Sequence, residues 1–166
     1  IKKSDNSWKN KYGYQLGIKY YNAFRVSDLL LQLEYNHVRP YVYSHSVPLT
    51  NYGHNNQSIG HQWGGNFKEL IAIARYHKGR YFADAKVTMG TRGLDFDASE
   101  NNFNYGGNIY KDYDENRPFD TDVKVGQGNK TAVFIADFQW GYLVNPATNL
   151  KIFRSYIYRN KKKKKN

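Results

Sequence analysis

The chain has 166 residues, no cysteine and a formal charge of +11, and only 40% of it is hydrophobic. That length suits one domain; disulfides, thiol catalysis and cysteine-ligated zinc are excluded, and no apolar run approaches the roughly 18–20 residues of a membrane-crossing helix. The positive charge gathers toward the ends, in Lys2, Lys3, Lys9, Lys11 and the run Lys161–Lys165, instead of on one stretch of the body, which argues against nucleic acid as a partner.

Sixteen Tyr, nine Phe and 14 Gly with few long aliphatics favour strands over helices. Taken in order, period-two alternation predicts a first strand over Tyr12–Ala23, with Tyr12, Tyr14, Leu16, Ile18 and Tyr20 on one face. A short turn leads to a second strand, Leu29–His37, with Leu29, Leu31, Leu33 and Tyr35 on its apolar face. A long irregular segment, Arg39–Asn66, carries Pro40, Pro48 and many Asn and Ser. The third strand, Phe67–His77, turns through Lys78-Gly79-Arg80 into the fourth, Tyr81–Thr91. A second long segment covers Arg92–Asn129. The fifth strand, Lys130–Leu143, aligns Ala132, Phe134, Ala136, Phe138, Trp140 and Tyr142, and the turn 145–149 leads to the sixth, Leu150–Asn160.

These strands run about 9–14 residues, longer than the usual 5–6 of globular sheets and suited to a tilted bilayer crossing. Connections alternate short, long, short, long, short, as in transmembrane barrels with tight periplasmic turns and long outer loops. The fold class expected is therefore all-β, an antiparallel transmembrane β-barrel segment of about six strands within a larger barrel, occupying 1–160, with 161–166 a Lys-rich tail that does not fold. Parity argues the same way: bacterial barrels have even strand numbers from eight upward with both termini in the periplasm, whereas this order would leave both ends outside. A soluble β-sandwich also alternates, with its apolar face inward. Two strands fit the barrel pattern poorly: Ile71 and Ile73 share a face with Glu69 and Arg75, and the sixth strand carries Arg154 on one face and Arg159 on the other.

The most specific signal lies in the long segments. Val38–Glu69 reads VRPYVYSHSVPLTNYGHNNQSIGHQWGGNFKE, Arg92–Asp97 reads RGLDFD, and Asn104–Thr131 reads NYGGNIYKDYDENRPFDTDVKVGQGNKT. Together these resemble the gliding-motility (RemB) and capsule-assembly Wzi-like family of outer-membrane barrels from Bacteroidetes, over about Tyr12–Asn160. The resemblance implies the C-terminal part of a Gram-negative outer-membrane barrel with extracellular loops, and a role in gliding motility or attachment of capsular polysaccharide. It supplies no catalytic residues. The chain departs from the family at its end, where a further aromatic-terminated strand is replaced by Lys161–Lys165.

The residues themselves offer limited chemistry. His45, His54 and His61 are spaced nine and seven apart, which matches no tight zinc motif. The second loop holds eight of the 14 acids against four basic residues, and Asp112, Asp114 and Glu115 form a weak candidate for Ca²⁺, which takes six to eight oxygens. Asp95 and Asp97 lack any demonstrable partner across a cleft, and no nucleophile–base motif or cofactor fingerprint appears, so the chain is read as non-enzymatic. Gly106-Gly107 and Gly126-Gln127-Gly128 read as turns. Carbohydrate recognition is the more plausible chemistry, through the aromatic and amide side chains of Arg39, Tyr41, Tyr43, Asn51, Tyr52, Asn55, Gln57 and Trp63. Expected partners are outer-membrane lipid, surface polysaccharide, and motility or secretion machinery. Two rivals remain open: a soluble β-sandwich carbohydrate-binding module, and a component of a surface secretion or assembly machine that binds no sugar.

Overall fold

The computed structural model describes residues 4–97 and 99–163. It is all-β. The strands are β1 (Gly13–Tyr21), β2 (Leu29–Val38), β3 (Gly53–His54), β4 (Gln57–Ser58), β5 (Phe67–Lys78), β6 (Tyr81–Leu94), β7 (Asn129–Asn145) and β8 (Leu150–Lys163). Six of them form one antiparallel meander in the order β1-β2-β5-β6-β7-β8, and β3 pairs only with β4. The six predicted strands are thus present in their predicted order, each shifted by a few residues at its ends. The sheet is open, with β1 and β8 as its edges, and does not close into a barrel.

Three expectations need correction. The β3–β4 hairpin lies in the first long segment, where two residues per strand are too few to show a period. Arg92, expected to open the second loop, is in β6 opposite Phe67 and Thr131. The lysine run is not wholly a tail: Lys161, Lys162 and Lys163 continue β8 and pair with Val133, Ala132 and Thr131. β7 is 17 residues long and offers backbone groups beyond Asn160, so β8 extends along it despite its charge. Lys164, Lys165 and Asn166 lie outside the described residues.

Register decides the two faces, because side chains directly opposite across a ladder share a side. The row Leu16–Tyr35–Leu70–Met89–Phe134 runs across five strands on one face. Ile18, Leu33, Ala72, Val87, Ala136 and Tyr158 make the next row on that face. The opposite face carries Gln32, Glu34, Asn36, Glu69, Arg75, Asp84, Lys86, Asp137 and Gln139, with Arg75 3.7 Å from Asp84.

The chain covers one end of the polar face. The two long loops fold over its loop end, where Val38, Trp63, Phe67 and Val133 form the core cluster. Trp63 lies on β6 where only glycine fits: a Cβ at Gly90 would stand 2.8 Å from its ring. The apolar face is bare. Leu16 is 64% exposed, Ile18 68%, Leu33 47%, Phe134 38%, Phe138 43% and Trp140 41%. In water, leaving large apolar side chains half exposed forfeits about 1 kcal/mol each, so this face alone costs several kcal/mol unless something apolar covers it.

Candidate functional site

Two surfaces carry chemistry: the bare apolar face and the loop assembly above the polar one. On the apolar face no charged side chain occurs on β1, on β2, on β5 from Leu70 to Tyr76, on β6, or on β7 from Ala132 to Tyr142. At the turn end the band is bounded by Tyr20, Tyr76, Tyr81 and Tyr142, with the last two rings 5.0 Å apart. At the loop end Tyr14 and His37 stack at 5.0 Å with Tyr35 beside them.

The turn-end rim is slanted. Tyr20 aligns through Leu31, Ala74 and Ala85 with Phe138, four residues from Tyr142. Four residues of about 3.4 Å over four inter-strand steps of about 4.8 Å make a slope of roughly 35°. Strands tilted by about 35–45° would bring such a rim level. Two charges of β8 fall on this face within the band: Arg154, opposite Trp140 and one cross-strand pair above the Tyr142 rim, and Lys162, opposite Ala132 at the loop-end edge, each where a long side chain can reach the rim.

The loop assembly is held by buried polar groups. Asn66, fully buried, is its clasp: its Nδ2 donates to the carbonyls of Gly93, Tyr105 and Gln127, each at 3.0 Å, and its Oδ1 accepts the Gly126 N–H at 2.7 Å. The first loop meets the second backbone to backbone at Gly65, where an added Cβ would stand 2.6 Å from the Gly106 carbonyl oxygen. The glycine pair read from sequence as a turn is therefore a contact between loops. Arg39 Nε donates to the Asn10 carbonyl at 2.8 Å, and its Nη2 reaches the carbonyls of Asn6, Ser7 and Val123. It ties the N-terminal segment to both loops.

The eight expected sugar contacts are accordingly dispersed. Arg39 and Tyr41 are buried, and the Tyr41 hydroxyl donates to the Asn104 carbonyl at 2.7 Å, so both hold the fold. Tyr43 and Tyr52 stack on each other at 5.6 Å, away from the main cleft, and Asn51 is half-buried beside them. Asn55 is exposed at the β3–β4 hairpin. Of the eight, only Gln57 and Trp63 line the main cleft, a volume of about 740 Å³ between the loops. Arg92, Gln62, Asn108 and Tyr110 join them there; all four lie in the segments that carry the family resemblance, but no alternation or ligand spacing singles them out. The paired glycines 64–65 and 106–107 were the one available hint that these loops approach closely.

The histidines and acids are engaged elsewhere. His61 accepts the Trp63 N–H at Nδ1, 3.1 Å away, which leaves Nε2 to carry the proton donated to buried Glu69 at 2.9 Å. Both ring nitrogens are consumed. The expected calcium set is not gathered: Asp112 accepts the Asp114 N–H, Asp114 accepts from Arg117 at 3.2 Å, and Glu115 is exposed. Among the described residues no group of three or more His, Cys, Asp or Glu could hold a metal ion. Arg117 instead stacks 4.0 Å over Trp8, and Lys11 stands 3.6 Å over Tyr113.

Burial lowers the Lys11 amine from 10.5 to about 8, with Asp114 opposing and Arg117 reinforcing the shift. The folded loops therefore hold fewer protons than the unfolded chain between those values, and their stability rises as pH increases from about 8. Burial acts oppositely on the Tyr41 hydroxyl, raising it, so that contribution is lost above its ordinary value of 10. The protection factors of the loop amides, which correct for the base-catalysed intrinsic exchange rate, should rise between pH 8 and 10, and Lys11→Met should flatten that dependence; an unchanged slope in the variant would assign it to another group.

No family model, curated protein or solved structure matches the chain.

Proposed function

We propose that this chain is a section of wall from a Gram-negative outer-membrane β-barrel, with its long loops at the cell surface, acting in gliding motility or in attachment of surface polysaccharide. The observation that carries the reading is the inversion of the sheet: loops cover the loop end of its polar face, while an aromatic-rimmed face, charged within its band only at Arg154 and Lys162 of β8, is left bare. A soluble sandwich buries its apolar face, and none of the described residues outside the sheet packs over that side. The eleven residues from Ala132 to Tyr142 span about 34 Å along the strand, or about 26 Å when tilted by 40°, close to the ~25 Å apolar band of such barrels. The open edges β1 and β8 need pairing in hydrocarbon, which favours a larger barrel. The family resemblance of the loops supplies the cellular role.

Topology provides the test. Cysteines introduced at Asn56 and Ser99 should react with an impermeant thiol reagent on intact cells, and one at Thr148, in the β7–β8 turn, should react only after permeabilisation. The opposite pattern would invert the orientation, and equal labelling of all three in a detergent-free soluble fraction would sink the membrane reading.

A further inference from the structure

The cleft between the loops is a large concavity whose walls come from both long segments. Its volume of about 740 Å³ lies within the range of small-molecule sites. The β3–β4 hairpin supplies Gln57, the chain beyond it Gln62 and Trp63, β6 supplies Arg92, and the second loop supplies Asn108 and Tyr110. Tyr110 bridges the loops: a Cβ at Gly53 of β3 would lie 3.1 Å from its ring. Tyr110 is 39% exposed.

The wall's charges are already answered. Asp95 accepts the Tyr105 N–H at 2.8 Å on one oxygen and pairs with Lys111 at 2.7 Å on the other. Arg92 donates to the Trp63 carbonyl at 2.8 Å and stands in the field of buried Glu69. Its neutral groups are not answered. Gln57 and Gln62 are exposed and their side-chain amides hydrogen-bond to nothing among the described residues, and the Asn108 side chain uses only its oxygen, for the Tyr110 N–H. Arg92 Nε and Ser58 Oγ, both in the wall, also have no partner. Primary amides offer a donor and an acceptor side by side, which matches hydroxyl groups that both give and take a hydrogen bond. An aromatic ring beside them supplies an apolar face.

We infer that this cleft binds an uncharged, polyhydroxylated ligand, a segment of neutral glycan, held by Gln57, Gln62 and Asn108 with Arg92 as donor and Tyr110 as platform. The inference rests on the surface-polysaccharide reading above and names its site and ligand class. It moves the recognition surface away from Arg39, Tyr41, Tyr43 and Tyr52, and so separates the two assignments experimentally.

The test is a glycan array carrying neutral and acidic oligosaccharides, probed with the full chain extracted from membranes in mild detergent. Neutral glycans should be retained. Gln57→Trp, which fills the mouth from an exposed position, and Gln62→Ala should each weaken retention at least tenfold, as should Arg92→Gln, while Tyr52→Ala should leave it unchanged. Retention of acidic glycans alone, no retention of any glycan, or equal retention by Gln57→Trp and the parent would overturn the inference. Detergent partition measured on the same preparations keeps the two readings apart: glycan binding lost with partition intact fails the cleft alone, and partition lost in the parent fails the membrane reading.

Discussion

Ala136→Arg should prevent stable insertion of the chain into the outer membrane, while Gln139→Arg, three residues along the same strand, should be tolerated. Ala136 lies mid-way along the uncharged band of β7, opposite Val87 and Tyr158, with no acid on its face to receive a guanidinium. Gln139 lies on the other face, opposite Asp84 and Ser155, where a cation gains a partner. A cation at the bilayer midplane of a barrel's lipid face costs about 2–4 kcal/mol. Phe134→Arg adds the loss of a ring packed against Tyr158, at 6.1 Å between centroids, and should also block assembly. The measurement is the amount of heat-modifiable protein recovered from outer membranes. Equal recovery of Ala136→Arg and Gln139→Arg would remove the distinction between the faces on which the membrane reading depends. Burial alone does not foretell this contrast, since both positions are half-buried.

Asn66→Ala should release the loops from the sheet. The substitution strands the carbonyls of Gly93 and Gln127 and the N–H of Gly126, and leaves the Tyr105 carbonyl only the Gln127 Nε2 donor. At about 1–3 kcal/mol for each buried polar group left unpaired, the loss should be about 3 kcal/mol or more. A further ~1 kcal/mol comes from the backbone, because Asn66 has φ 58° and alanine is strained there. Asn66→Gly separates the two effects: it keeps the left-handed conformation, loses the amide, and should recover only that last increment. Limited proteolysis should cut both variants within 95–128 much faster than the parent, with the strands still protected in the membrane. A glycine variant as resistant as the parent would mean that Asn66 serves only its backbone angle, and that the clasp is not what holds the loops.

The strands were legible from residue order because alternation is a local property. Ala132, Phe134, Ala136, Phe138 and Trp140 announce their common face before any partner strand is known, and the same holds for Leu29–Tyr35. Strand order also followed from the sequence, since short turns such as the one through Gly79 leave neighbouring strands little choice but to pair. The awkward placement of Glu69 and Arg75 with Ile71 and Ile73 was visible as well, but its reason was not. β5 puts that face under the loops at one end, where Ile71 and Glu69 are buried, and leaves it open at the other, where Arg75 meets Asp84.

What lies above the sheet depended on contacts between residues far apart in the chain, and no period encodes those. Arg39 and Tyr41 looked like surface ligands because arginine and tyrosine are common in both roles; only the fold shows their polar atoms spent on carbonyls of Asn10 and Asn104. Arg92 joins the cleft because β6 continues past Thr91, and Tyr110 because the second loop leans onto β3. Composition, charge and alternation determined an all-β chain with one apolar and one polar face. Tertiary structure decided which face the loops cover and which side chains they leave free, because burying polar atoms requires specific partners, whereas exposing an apolar stripe requires only a repeat of two.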